Sequence, residues 1–561
     1  MSYKIKIVPN EIAEEYRKGN DFKATIGAKG IDEQTKMNER FYIGDQWHGA
    51  KCGNERPLVR RNIIKRIGEY KISTVTAAPV AVNFTAEGIA DNAEIRLNAE
   101  RDLQLLKNGE IDYTGTREDA ELSVIAGVLS DYFSTTAERV GFGAKCEKAV
   151  KNAYISGTAV AYSFWDDSIN TGLYVDSEKT HSLRGDVSFE ILDIRSVCFG
   201  DGHEKDVQKQ PYIIISQRRD YMDVRREAAR YGASEYEIQK ILPDNSTDSD
   251  DRNVTVYTKL YKEWDSASGS NRVLAVRVTS EVTVRAPWDT KIERYPVAVM
   301  DWLSRSDTIY GESEITYLIP NQIAINRAAS ANVWAIMTSG MPMTLVNGDV
   351  VNGNITNNPG QIIKVFGTNE DIAGAVRHIQ PPAFSSQMLS CVESLALNTL
   401  YDSGANDAAL GDVRPDNAAA IIQIREAALQ PMQLYQNRFY AFVEDIARIW
   451  LDFWLKLYGD RTISARDASG RYLIPFHAER YKNALLSVRV DVGASALWST
   501  SVTVTSLDRL LEMGLITFEQ YLERMPAGII PDKTGLLKAV REQSGNIDDP
   551  LARAQKEGDQ A

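Results

Sequence analysis

Apolar residues near the C-terminal end of the chain recur in steps of three and four. Tyr435, Phe439, Phe442, Val443, Ile446, Trp450, Phe453, Trp454 and Leu457 fall on one face of a helix, with Asn437, Arg438, Asp445, Arg448, Asp452 and Lys456 off it. The pattern runs from 417 to 459 without a glycine before Gly459. A helix of about 43 residues would be roughly 65 Å long, far beyond the usual length of about 11–12 residues. Asp416 is placed to cap it, and Arg448–Asp452 and Asp452–Lys456 have the spacing of supporting ion pairs. Pro431 lies inside the pattern and predicts a kink near 427–431, or else two separate helices.

Elsewhere the periodicity alternates between helix and strand. Ile63, Ile64, Ile67 and Tyr70 predict an amphipathic helix within 58–76, and 77–86 reads as a strand. Two helices are expected over 117–138 and 140–155, while residues 1–30 read as charged and half-ordered. Strands are expected at 159–165, 188–194, 212–217, 254–264, 273–286 and 298–302, interrupted by one helix at 220–241. From 310 the character is helical: 312–339, a hairpin-like insert at 343–367, then 384–400. A polar stretch, SGANDAALGDVRPDN (403–417), separates that helix from the long one. Two short strands (485–492 and 501–505) and small helices close the chain. In 506–525, Gly514 is expected to stop one helix, with Thr517 and Gln520 as the capping box of the next. The charges on that second helix (Glu519, Glu523, Arg524) do not suit groove reading. The fold class expected is α+β.

Composition narrows the function classes. The 561 residues carry a net charge of −13, which argues against a surface that grips a nucleic-acid backbone broadly. No apolar run reaches the roughly 18 residues of a membrane span. Four scattered cysteines suit a reducing compartment and no zinc site. No phosphate-binding loop, zinc-protease or nucleophile-elbow pattern occurs. The five histidines are isolated, and Asp166–Asp167 reads more readily as a solvated turn than as a metal site. No catalytic residue, metal or cofactor is expected.

Several segments, in order, resemble the portal proteins of tailed bacteriophages. NERFYIGDQW (38–47) resembles their opening motif, and LVRRNIIKRIGEYKISTVTAAPVAVNF (58–84) the helix and strand that follow it. SGTAVAYSFWD (156–166) and FEILDIRSVCFGD (189–201) are similar to wing strands. YGESEITYLIPNQIAINRAASANVW (310–334) resembles the entry to the stem, and DNAAAIIQIREAALQPM (416–432) the helix after the tunnel loop. The resemblance implies a ring-forming portal fold: a wing over 1–310 and 460–505, stem helices at 311–340 and 382–403, and a clip at 341–381. It places a tunnel loop at 404–416, a long kinked wing helix at 417–459, a crown at 506–545 and an acidic tail at 546–561.

The function it implies is a non-enzymatic dodecamer at one capsid vertex of the virion, made in the host cytoplasm, through which double-stranded DNA is packaged and ejected. The implied partners are the terminase large subunit, a head-completion or adaptor protein, the major capsid protein and scaffolding protein, with no membrane. Asn406, Asp407, Asp412 and Arg414 would face the DNA, without sequence specificity. Gln322, Asn326, Ala328 and Ala331 would pack the stem, and Asn347, Asp349, Lys364 and Asn369 would dock clip partners. Two other readings stay open: a different head–tail connector of the virion, and an enzyme with an unrecognised site.

Overall fold

A computed structural model describes residues 8–50, 56–77, 80–86, 118–174, 182–244, 252–266, 269–339, 343–352, 364–368, 376–379, 386–405, 430–467, 470–478, 486–491, 504, 507–525 and 536. The fold is α+β. Its centre is helix α10 (Gln433–Leu457). The face read from its spacing is the buried one: Phe439, Phe442, Val443, Ile446, Trp450 and Trp454 are each 1% exposed or less. Trp450 gathers Phe133, Phe142 and Phe189, with ring centroids 5.1–5.6 Å away, and its indole N–H donates to Ser163 Oγ at 3.2 Å. Pro431 lies in a 3₁₀ turn, Gln430–Met432, from which α10 starts. It therefore marks a helix start in the described chain, where its missing N–H costs least. Residues 417–429 and Asp416 lie outside the described residues.

Around α10 pack α3 (Ile63–Val75), α4 (Glu118–Val140) and α5 (Phe142–Ser156). A three-stranded antiparallel sheet lies beside them, with order β3 (Ser182–Leu192), β2 (Thr158–Tyr174), β9 (Val297–Asp301). A five-stranded antiparallel sheet runs in sequence order: β4 (Val197–Phe199), β5 (Tyr212–Asp220), β6 (Asn253–Asp265), β7 (Ser270–Val278), β8 (Thr283–Asp289). Helices α6 (Tyr221–Arg230) and α7 (Glu235–Gln239) cover the cluster formed by Val224, Val254, Val256, Val282 and Val284. Ile12, from α1 (Pro9–Thr25), packs with Ile214, Val276 and Val278. Two distant strands, β1 (Ala81–Ala86) and β16 (Leu486–Asp491), pair with each other, and β14 (Asp460–Asp467) pairs with β15 (Gly470–His477).

The structure corrects several sequence readings. The N-terminal region forms two helices, α1 and α2 (Gly30–Ile43). The strand expected over 273–286 is the hairpin β7–β8, turned at Thr279, whose hydroxyl accepts from Val282 N–H. The helix expected over 220–241 breaks at Gly232, which has φ +86°. Asp166 and Asp167 sit within β2, not in a turn; they accept from Ser168 and from the Trp165 indole. Arg448 pairs with Glu444 and Asp445 instead of Asp452. Asp452 is taken by Lys456, as expected, and by the N–H groups of Glu293 and Arg294. The strand expected over 501–505 lies almost wholly outside the described residues.

One ion-pair network has a defined pH signature. Glu227 on α6 bridges Arg219 of β5, at 2.6 Å, and Arg277 of β7. Burial pushes its carboxyl up, but the two guanidinium groups outweigh this and hold it below the usual carboxylate range. A lowered folded-state pKa contributes stability above the unfolded value of about 4.3 and loses it as pH falls through the folded value. Glu227→Gln should cost about 1–3 kcal/mol at pH 7. In urea melts taken from pH 7 downward, the gap to wild type should close below about pH 4. A gap that stays constant with pH would show that the charge contributes nothing.

Candidate functional site

The feature that stands out from this core is a helix pair, α8 (Glu314–Ser339) and α9 (Ser386–Asp402), packed on each other. Two short antiparallel pairs lie in the insert between them. β10 (Met343–Val346) pairs with β13 (Val376–Ile379), and β11 (Val351–Asn352) with β12 (Lys364–Val365). This nested arrangement has two strand pairs where a hairpin-like insert was expected over 343–367, and the outer pair extends to 379.

The base of α8 is fixed by polar contacts in the core. Glu314 accepts from Lys71 Nζ at 2.6 Å and, on its other oxygen, from the Trp302 indole at 3.1 Å. The Lys71 side chain is 3% exposed and that of Glu314 12%. A buried pair persists only when both partners are well satisfied. Here Tyr435 adds to it, stacked on Trp302 at 4.4 Å and 5.4 Å beneath the Lys71 ammonium. Burial first, and then the Glu314 charge, push the Tyr435 hydroxyl up to about 12. Arg438 donates to the Trp302 carbonyl. Four elements thus meet at one carboxylate: α3, the end of β9, α8 and α10.

Further along α8, Gln322, Asn326 and Ser330 form a stripe with a spacing of four. Gln322 Oε1 accepts from Ile63 N–H at 3.0 Å and Ile64 N–H at 3.4 Å, and its Nε2 donates to Arg61 O at 2.6 Å and Asn326 Oδ1 at 2.9 Å. Asn326 Oδ1 also accepts from Arg61 N–H at 3.1 Å, and its Nδ2 donates to Gln46 Oε1 at 2.5 Å. Ser330 Oγ accepts from Val59 N–H at 3.0 Å. The N–H groups at the start of a helix have no intrahelical partner. Gln322 supplies one for the first two of α3, and Asn62 caps the third residue. Gln322, Asn326 and Ser330 therefore clamp the segment that leads into α3, at residues 59, 61, 63 and 64 of their own chain. Ala328 is half-buried against the core, and Ala331 is exposed.

Beyond Ser330 the helix leaves the core. Of residues 327–337 only Asn332 is buried, yet the surface here is apolar: Val333 is 37% exposed, Ile336 51% and Met337 48%. On α9, Leu397 and Tyr401 are 44% and 56% exposed; in the insert Leu345 and Phe366 reach 54% and 60%. A helix apolar on all sides belongs in a buried setting, and contiguous exposed apolar surface marks a place of contact.

Asn347, Asp349 and Lys364 are exposed in the insert, with Asn347 Oδ1 accepting from Asp349 N–H at 3.1 Å. Asn369, and the loop residues Asn406, Asp407, Asp412 and Arg414, lie outside the described residues. Among the described residues, no group of three or more His, Cys, Asp or Glu side chains is placed to hold a metal. None of the described helices is long and apolar enough to cross a membrane. Burial pushes the Cys146 thiol up to about 12, which suits packing more than nucleophilic attack.

No known protein-family model matches the chain, and a search of curated proteins finds no match either.

Sequence reasoning singled out Gln322 and Asn326 but missed the Lys71–Glu314–Trp302 cluster. Its members are 243 and 12 residues apart, so no local pattern joins them. Gln322→Leu keeps the volume and removes three kinds of partner at once, leaving the buried Ile64 N–H unmet while Ile63 N–H keeps only the Arg61 carbonyl at 2.9 Å. It should lower stability by about 2–4 kcal/mol in chemical denaturation, whereas Ala331→Ser, on the exposed face, should change it by less than about 0.5 kcal/mol.

Proposed function

We propose that the chain is the subunit of a ring-shaped portal at one capsid vertex of a tailed bacteriophage. Double-stranded DNA would enter and leave through the central channel of a dodecamer. The observation that carries this reading is the helix pair α8–α9, anchored by buried amides and a buried ion pair at its base and apolar on the surface that projects. In a ring, each such pair would be covered by its neighbours. Ala324 and Ala331, small and exposed on α8, allow close approach of a neighbouring backbone. The order of the sequence segments that resemble portal proteins supports the same reading.

Under this reading the insert between the stem helices is the clip. It would dock the terminase large subunit during packaging and a head-completion protein afterwards; capsid and scaffolding proteins would meet the wing. ATP hydrolysis would reside in the terminase. The loop with Asn406, Asp407, Asp412 and Arg414 would line the channel. Its carboxylates would repel phosphates while Arg414 touches them, and the net charge of −13 would leave no deep binding well for the DNA in transit.

The test is electron microscopy of the purified chain, alone and co-expressed with its scaffolding protein, viewed down the particle axis. A ring of twelve or thirteen subunits with an open channel is expected. A closed particle without a channel under both conditions would overturn the proposal. Ile336→Glu should abolish rings yet leave the thermal unfolding of the subunit within about 3 °C of wild type, because the side chain is half exposed. Normal ring yield from this variant would remove α8 from the subunit contact. Deleting 405–413 should leave rings intact and lower DNA packaging; loss of the ring would show that the loop is structural.

A further inference from the structure

At the β8 edge of the five-stranded sheet two arginines face each other. Arg277 of β7 lies directly opposite Arg285 of β8, and the ladder is irregular on both sides of that pair. Like charges placed opposite each other destabilise a sheet. Bulges recur where a strand re-aims a side chain, often beside a functional site. In a chain of net charge −13, two guanidinium groups held together in this way are not explained by the fold. The portal reading gives them no role either.

Arg277 is only partly satisfied. Its Nε donates to Thr258 Oγ1 at 3.2 Å and its Nη1 to Glu227, which leaves Nη2 without a partner among the described residues. Glu227 is shared with Arg219, so one carboxylate serves two cations. Arg285 has no hydrogen bond or ion pair among the described residues. Instead it is held by rings. Its guanidinium carbon lies 3.8 Å from the centre of the Trp288 ring and 4.3 Å from that of Tyr231. Arg277 stands 5.8 Å from the same Trp288 ring, and Arg230 5.9 Å from Tyr231. Rings pack on the flat faces of a guanidinium, whereas its N–H donors lie in its plane. The donors of Arg285 thus have no acceptor, and they are within reach of solvent: Arg285 and Trp288 are half-buried and Tyr231 is 41% exposed. Burial first, and the Arg277 charge as well, weigh against the charged form of Arg285, while Glu227 and Asp167 favour it. Both carboxylates are already engaged, Glu227 by Arg219 and Arg277, and Asp167 by the Trp165 indole N–H at 2.7 Å.

We propose that Arg285 and Arg277 form a binding site for a dianionic phosphate group, taken as inorganic phosphate or as a terminal phosphate monoester. Arg285 would donate to two of the oxygens through parallel N–H groups, and Arg277 Nη2 would reach a third. Paired donors of this kind match the spacing of phosphate oxygens. Trp288 and Tyr231 already fix the plane of Arg285, so little side-chain freedom is lost on binding. A phosphodiester backbone suits the site less. Each of its phosphates carries one charge, and a chain of net charge −13 offers no broad basic surface along which a strand would run.

The probes are inorganic phosphate, methyl phosphate and dimethyl phosphate, each titrated into the full chain at constant ionic strength by isothermal titration calorimetry. Inorganic phosphate and methyl phosphate should bind at one site per subunit with Kd below about 1 mM, and dimethyl phosphate, with its single charge, at least about tenfold more weakly. Arg285→Gln should weaken phosphate binding by at least about tenfold, and Arg285→Lys, which keeps the charge but not the planar fork, by at least about threefold. Circular dichroism melts confirm that the variants fold, and the comparison of the three probes on the wild-type chain needs no variant. No phosphate binding up to about 10 mM, equal binding of dimethyl phosphate, or an unchanged affinity in a folded Arg285→Gln would each overturn the proposal. An oligothymidine without terminal phosphates is the last probe, followed by fluorescence anisotropy. Binding of this strand that Arg285→Gln abolishes, with no binding of methyl phosphate, would assign the site to a nucleic-acid backbone and overturn the monoester. Ring formation enters none of these readouts, so the portal reading stands or falls separately.

Discussion

The architecture depends on the hydrogen bonds of two buried amides. The side-chain oxygens of Gln322 and Asn326 each accept two hydrogen bonds, and their nitrogens donate to Arg61 O, Asn326 Oδ1 and Gln46 Oε1. A buried amide that loses a partner pays a desolvation penalty of about 1–3 kcal/mol, whereas an apolar contact can slide at little cost. The network therefore holds α8 in one register against α3, which packing of isoleucines alone would not specify. Glu314 with Lys71 adds a second fixed point two turns earlier. Between them they orient a helix whose outer half has no core to lean on. The direction in which the projecting pair leaves the molecule is set at residues 314–330, where nearly all of its hydrogen-bonded anchoring lies.

Buried polar groups are concentrated elsewhere too, at junctions between elements distant in sequence. Asp186 is fully buried and accepts from Arg139, from the hydroxyls of Tyr132 and Tyr458, and from Val187 N–H at 2.7 Å. This ties α4, β3 and the end of α10 together. Burial, and then the Asp186 charge, push the Tyr132 hydroxyl up to about 12, so both phenols stay protonated donors through the neutral range. Such knots add little net stability over an apolar core of equal volume. Their effect here is to make each joint accept one geometry.

How much of this was legible in the sequence follows from the range of each interaction. The buried face of α10 was readable in its main stripe, because helical periodicity is local; seven of the nine apolar positions are buried, while Tyr435 and Leu457 are half-buried and Ala447, Ile449, Leu451 and Leu455 widen the buried face beyond the stripe. Helices α4, α5, α8 and α9 were placed within a few residues for the same reason, and the Thr517–Gln520 capping box is present as expected. The misses have causes. α1 buries only Ile12 and Lys23, so its apolar stripe is too thin to register. The β7–β8 turn has no glycine or proline; a threonine hydroxyl closes it, and the run read as one strand. The hairpin β14–β15 went unread, with arginines and aspartates breaking its alternation. At the candidate site, Gln322 and Asn326 were named without their partners, some 260–280 residues away, since no spacing rule connects an amide on one helix to the first turn of another.

The pairing of β1 with β16 sets a schedule for biosynthesis. Ala81 lies opposite Asp491, and the Thr85 and Ser487 hydroxyls meet at 2.7 Å across 402 residues of chain. At about 5–20 residues per second, roughly 20–80 s separate the emergence of the two strands from the ribosome. Until then β1 has an unpaired edge, and the helices beneath it wait for α10, which is also made late. A nascent chain can complete the five-stranded sheet early, but it cannot close its main core before β16 has been made. Truncated products would thus lack a finished body, and the fold itself acts as a length check on the chain.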